Sequence, residues 1–123
     1  DFRFDGDPSR GDNRLAGAPE NVLTARLDWA ATDVLTLSGT LRWMDEIPVD
    51  NMNTTWSEAA TLLDLGAAWQ VTDNAAIVAE ITNVTDERFA ASTLTMDALP
   101  APNFAAYIPG QGRAFHIAAK LRF

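Results

Sequence analysis

The chain of 123 residues contains no cysteine. Disulfide frameworks, thiolate zinc sites, iron–sulfur clusters and cysteine nucleophiles are excluded together. A single histidine, His116, leaves no multi-histidine metal centre and no Ser-His-Asp triad beyond one built on that residue. Lysine occurs once and arginine supplies the other eight of nine basic side chains, against 17 acids, a net charge of −8. That balance argues against nucleic acid as a partner, because the phosphate backbone rewards clustered Lys and Arg. No apolar run approaches the ~18 residues that a membrane helix requires. The first residue is Asp1, with neither an initiator Met nor a leader peptide, which fits a processed chain or a piece of a longer one.

What is present is alternation. From Val34 to Met44, Leu35, Leu37, Gly39, Leu41 and Trp43 alternate with Thr36, Ser38, Thr40 and Arg42. From Leu63 to Val71 the apolar positions Leu63, Leu65, Ala67, Trp69 and Val71 are interleaved with Asp64, Gly66, Ala68 and Gln70. At the end of the chain Phe115, Ile117, Ala119, Leu121 and Phe123 alternate with Ala114, His116, Ala118, Lys120 and Arg122. Two weaker segments follow the same rule, Leu23 to Trp29 and Ala75 to Thr82. Period two, without helical spacing, predicts five half-exposed strands and an all-β fold.

The connections are unequal. Ala30 to Asp33 and Thr72 to Asn74 read as tight turns, whereas Asp45 to Glu58 and Asp86 to Gly112 are long, and a polar segment from Asp5 to Glu20 precedes the first strand. Phe2 and Phe4 suit the end of a preceding strand. Short turns alternating with long loops are usual in an outer-membrane barrel and unusual in a soluble sandwich. Trp29 and Trp69 fall on the apolar face just before the two short turns, and Trp43 lies on that face beside a long loop. Such rings suit the two membrane interfaces. From Leu35 to Trp43 the stripe runs about 26 Å along the strand, or about 19 Å of height at a tilt of ~45°, slightly short of the ~25 Å apolar band. Eleven of the acids, among them Asp5, Asp7, Asp12, Glu20, Asp45, Glu46, Asp50, Glu58, Asp86, Glu87 and Asp97, lie in the long segments.

Four motifs, in order, give the chain a resemblance to a known family. Gly11 to Glu20, GDNRLAGAPE, resembles a G-x-R-L-x-G-x-P entry to a late barrel strand. Glu80 to Phe89, EITNVTDERF, resembles N-[LVI]-x-D-x-x-Y after a penultimate strand, with Asn83, Val84 and Asp86 in place and Phe89 where Tyr is usual. Pro109 to Arg113, PGQGR, resembles the P-G-x-x-R that opens the last strand. His116 to Phe123 resembles a C-terminal barrel-assembly signal, with His116, Leu121 and Phe123 matching and Ala118 replacing Gly. The sequence is therefore similar to the C-terminal barrel strands of the TonB-dependent outer-membrane receptors of Gram-negative bacteria.

The resemblance implies that residues 1–123 form an incomplete domain without a plug: the last five antiparallel, up-and-down strands of a barrel of roughly 22, an open curved sheet when taken alone. It implies a receptor that imports a scarce ligand such as a ferric siderophore, haem, cobalamin or an oligosaccharide across the outer membrane. This portion would supply barrel wall, extracellular loops and the assembly signal. The partners implied are outer-membrane lipid, the barrel-assembly machinery, the rest of the barrel and the plug, and through the plug the inner-membrane TonB complex.

No catalytic constellation has the required spacing and no cofactor or metal is called for, so an enzyme is not expected. The oxygen-rich loop Asp45, Glu46, Asp50, Asn51, Asn53 and Trp56 is the candidate ligand-facing surface. Asp5, Asp7 and Ser9 imitate the start of a calcium loop, but Arg10 occupies the turn-glycine position and Ala16 the closing-glutamate position, so no such site is expected. The sequons at Asn53 and Asn83 matter only in a eukaryotic secretory protein. The alternative reading of the same alternation is a soluble extracellular β-sandwich, an adhesin or carbohydrate-binding module, with Trp56 and Tyr107 as ligand platforms.

Overall fold

The computed structural model describes residues 2–96 and 104–122, and every regular element in them is a strand. In chain order these are β1 (Val22–Thr32), β2 (Leu35–Met44), β3 (Ile47–Pro48), β4 (Trp56–Ser57), β5 (Ala60–Thr72), β6 (Ala75–Thr82), β7 (Ala90–Met96), β8 (Phe104–Pro109) and β9 (Ala114–Leu121). The principal sheet has the order β1-β2-β5-β6-β9, so each strand lies beside its neighbour in sequence once the two small hairpins, β3-β4 and β7-β8, are set aside. This is the up-and-down arrangement that the resemblance implies.

Two hairpins in the sheet turn on the same local device. After β1 the chain reads Thr32-Asp33-Val34, and the Thr32 hydroxyl accepts the Val34 N–H at 3.3 Å. After β5 it reads Thr72-Asp73-Asn74, and the Thr72 hydroxyl accepts the Asn74 N–H, also at 3.3 Å. A threonine hydroxyl that holds the chain two residues on makes a compact reversal without a glycine. The β5 ladder shifts register between Gln70 and Thr72, which absorbs the turn's geometry.

Register fixes which side chains share a face. Leu65 faces Ile81, which faces Phe115; Ala67 faces Ala79, which faces Ile117; and Trp69 faces Ile77, which faces Ala119. These rows make one face continuously apolar. The opposite face carries the rows Gly66–Glu80–His116 and Gln70–Ala76–Lys120. A cross-strand ion pair joins Arg42 to Asp64 at 3.2 Å, and Arg26 holds Asp28 with two hydrogen bonds of 2.7 and 2.8 Å. A one-residue slip anywhere in this sheet would exchange the two sets, so the pattern excludes odd slips in register.

The chain divides into two compact units. One, comprising residues 23–42, 61–87 and 111–123, is the five-stranded sheet, and a soluble sandwich would require a second sheet that this unit does not contain among its described residues. Its apolar face is open: Trp29 is 59% exposed, Trp69 49% and Ile117 82%. β1 has no buried residue on either face. The other unit, residues 1–22, 43–60 and 88–110, holds the long connections and the buried side chains Ile47, Val49, Asp50, Ala60 and Ala90.

Two expectations need correction. The long connections are not plain loops, because β3 pairs with β4 and β7 with β8 within them. Strand β5 begins at Ala60, three residues before the alternation starting at Leu63 suggested. In the first case the pairing joins residues distant in sequence that leave no local period. In the second, the buried Ala60 and Leu62 fall on the parity of Asp64 and Gly66, the side read as polar, so the apolar period that starts at Leu63 does not reach them. Phe2 and Phe4 belong to a short hairpin arm: the Phe2 carbonyl accepts the Leu15 N–H, and the Phe4 N–H donates to the Asn13 carbonyl, both at 2.9 Å.

Candidate functional site

The oxygen-rich loop between β2 and β5 is organised around Asp50. This residue is only 2% exposed, and its carboxylate accepts the N–H of Thr54 at 3.0 Å, the N–H of Thr55 at 2.7 Å and the Thr54 hydroxyl at 2.9 Å. The two side-chain oxygens have lone pairs for all three, and buried polar atoms need such partners. The sequence offered Asp50 as a ligand-facing oxygen, but in the structure it faces the interior of its own loop. Asn53 sits at φ 55°, a left-handed conformation that Asn tolerates better than most residues.

Asn51 and Asn53 are likewise turned toward protein. The Asn53 carbonyl oxygen accepts the Arg14 N–H at 2.7 Å while its amide donates to the Arg14 carbonyl at 2.8 Å, so one side chain pairs with the arm as a strand would. Asn51 accepts the Ala16 N–H at 3.0 Å, and its carbonyl accepts the Asn13 side chain at 3.2 Å. Together these contacts lock the arm of residues 2–17 to the loop of residues 45–58.

The Arg14 side chain completes the arrangement. Its guanidinium lies 5.1 Å from the centre of the Trp56 ring, 3.7 Å from Glu20 and 3.8 Å from Glu46. The Trp56 indole N–H donates to the Asn53 carbonyl at 3.0 Å, which fixes the plane of the ring beneath the cation. Arg3 adds a second cation 3.7 Å from Glu20. Asp45 receives the Asn21 amide at 3.3 Å and the N–H of Glu46 at 2.9 Å. The surface that results is a preorganised platform: Glu46, Met52, Thr54, Thr55 and Trp56 are exposed on it, and Asp50, Asn51 and Asn53 hold it from within. Arg14 and Glu20 were visible only as letters of the GDNRLAGAPE motif. Nothing local in the sequence pairs Arg14 with a loop more than 30 residues away.

Among the described residues no group of three or more His, Cys, Asp or Glu side chains is placed to hold a metal ion. The calcium-like letters at Asp5 to Ser9 form a turn in which the Asp7 carboxylate accepts the N–H groups of Ser9 and Arg10, each at 2.8 Å. Of the proposed assembly residues, His116 stands opposite Glu80 on the polar face, Leu121 stands opposite Ala75 on the apolar face, and Phe123 lies outside the described residues. Both sequon asparagines are engaged in hydrogen bonds.

A family model described as TonB dependent receptor-like, beta-barrel, matches residues 1–84. No curated protein matches the sequence. Among solved structures, the siderophore receptor PiuA from Acinetobacter baumannii superposes with a TM-score of 0.74 at 20% identity over 90% of this chain and 15% of its own. BauA, the ferric preacinetobactin receptor from the same organism, gives a TM-score of 0.62 at 22% identity over 90% of this chain and 16% of its own. The chain thus spans about one sixth of the length of the solved receptors that it matches.

Proposed function

The chain belongs to the TonB-dependent receptor β-barrel family, and from that premise we propose that it forms the C-terminal wall and extracellular loops of an outer-membrane receptor that imports a ferric siderophore. The observation that carries this reading is the open apolar face: Leu27, Trp29, Trp69, Phe115, Ile117 and Leu121 all lie exposed on a sheet with no core of its own. Water does not stabilise such a face, and lipid does. An apolar groove lined by Val34, Leu35, Ala67, Trp69, Ile77 and Ala79 gives an acyl chain a seat on it.

The rest of the assignment follows from that orientation. The Thr-Asp turns lie at the periplasmic end and the platform of Glu46 and Trp56 at the extracellular end, where it contacts cargo. The free edges of β1 and β9 pair with the remaining strands of the barrel, the polar face meets the plug, and the TonB complex acts through the plug. His116, Leu121 and Phe123 serve the assembly machinery, and Trp29, Trp43 and Trp69 mark the interfaces. The siderophore, as cargo class, is supported by PiuA, a siderophore receptor, and BauA, the ferric preacinetobactin receptor, whose fold the chain shares.

The test is growth under iron limitation of a Gram-negative host whose own receptors are deleted, supplied with single ferric siderophores and carrying the receptor that contains this chain. Growth on at least one siderophore that requires a functional TonB complex is expected. Outer-membrane insertion without uptake of any ferric siderophore, alongside uptake of haem, cobalamin or an oligosaccharide, would overturn the cargo class. Failure to reach the outer membrane would overturn the whole reading.

A further inference from the structure

The segment that joins β6 to β9 leaves the sheet after Glu87 and returns at Gln111, and one side chain holds both ends. Asn83 is 4% exposed, and its amide donates to the Glu87 carbonyl at 2.9 Å and to the Gln111 carbonyl at 3.1 Å while its oxygen accepts the Glu87 N–H at 2.9 Å. Both donated bonds and the accepted one are therefore spent on the two chain ends. A second tie runs in parallel: the Asp86 carboxylate accepts the Arg113 N–H at 2.9 Å, and the Arg113 guanidinium donates to the Val84 carbonyl at 3.3 Å.

The backbone is shaped for this purpose. Asn83 and Asp86 take φ of 48° and 57°, and the Asp86 N–H closes the turn on the Asn83 carbonyl at 2.9 Å. The Asn83 N–H in turn donates to Asp64 of β5 at 2.8 Å, so three strands of the sheet are tied to one residue. Thr82 and Ala114 are the last paired residues of β6 and β9, which places the tie directly beyond the final rung of their ladder. The boundary between the two compact units also falls here, at Glu87 and at Gln111. Within the excursion, the Gly110 N–H donates to the Phe89 carbonyl at 2.8 Å, and a Cβ at position 110 would overlap the Phe89 ring, so its stem closes on a residue that must be glycine.

We infer that Asn83, Asp86 and Arg113 form a register clasp that sets the pairing of β6 with β9 independently of residues 88–110, making that excursion a replaceable module. The cost of closing a long loop grows only slowly with its length, so a clasp that fixes the ends makes the content of the loop nearly irrelevant to the strands. Without the clasp, the register depends on the alternation alone, and a slip of two residues preserves alternation.

Disulfide trapping reads this directly. The Arg122 N–H donates to the Asn74 carbonyl, so the ladder's alternation makes Ala79 and Ile117 a close, non-hydrogen-bonded pair suited to a disulfide. In the receptor that contains this chain, Ala79→Cys with Ile117→Cys reports the native register, and Ala79→Cys with Phe115→Cys or Ala119→Cys reports a two-residue slip. Asn83→Ala is expected to lower the native crosslink at least about fivefold and raise a slipped one, and Asp86→Ala to do so more weakly. Replacing residues 88–110 with a short Gly-Ser linker is expected to leave the native crosslink within about twofold of the parent. An unchanged native crosslink in Asn83→Ala, or its loss on replacing residues 88–110 with Asn83 intact, would overturn the inference.

Discussion

The sheet and the loop cluster of this protein invert one another. In the sheet, strands with strict alternation leave Leu27 71% exposed and Ile117 82% exposed. In the loop cluster, segments with no clear period bury Ile47, Val49, Ala60 and Ala90 and enclose the Asp50 side chain in hydrogen bonds. The difference lies in where each gains its stability. The loops exclude water from a small core of their own, whereas the sheet leaves an apolar face and two edges uncovered, which under the proposed function lipid and further strands would cover.

The sharpest way to break this contrast is to place one charge in each region. Ile117→Arg is expected to destabilise the inserted receptor by about 2–4 kcal/mol, the cost of a cation on the lipid face near the midplane, and to lower the heat-modifiable fraction recovered from the outer membrane. Met52→Arg, on the exposed surface of the loop, should leave that fraction unchanged. Equal behaviour of the two would show that the apolar face does not meet lipid.

A smaller effect belongs to the loop's interior. Asp50→Ala removes the acceptor that holds the N–H groups of Thr54 and Thr55, at roughly 0.5–1.5 kcal/mol of local stability per bond, read as faster hydrogen exchange across residues 47–57 with barrel insertion unaffected. Smaller again is Trp56→Leu, which removes the surface for Arg14, about 0.5–1 kcal/mol at an exposed site. Its expected outcome is a rise in the proteolytic nicking rate of the arm before Glu20. Smallest is Arg3→Gln, whose exposed ion pair with Glu20 is worth about 0–1 kcal/mol; hydrogen exchange in the arm should change by less than about fivefold.

The sheet was readable because exposure and period are local properties. Ala75–Thr82 is predicted and observed with the same bounds, and the Trp29 and Trp69 positions before the two Thr-Asp turns follow from counting alone. The loop contacts were not readable for the opposite reason. Asp50 and an exposed acid look alike in a sequence, and only the position of Thr54 and Thr55 above its carboxylate separates them. The motif letters Asn83, Asp86 and Arg113 could be recognised without revealing that the first gathers both ends of the excursion and the other two meet across it.

By itself, then, the sequence determined the strand count of the main sheet, its apolar and polar faces, and the family to which it belongs, since alternation and short motifs are written within a few residues. The tertiary structure alone decided that the long segments contain hairpins, that Asp50 faces inward, and that Arg14 is held by Trp56, Glu20 and Glu46. Those outcomes depend on residues far apart in the chain that come within hydrogen-bonding distance, and no period along the chain records such a meeting.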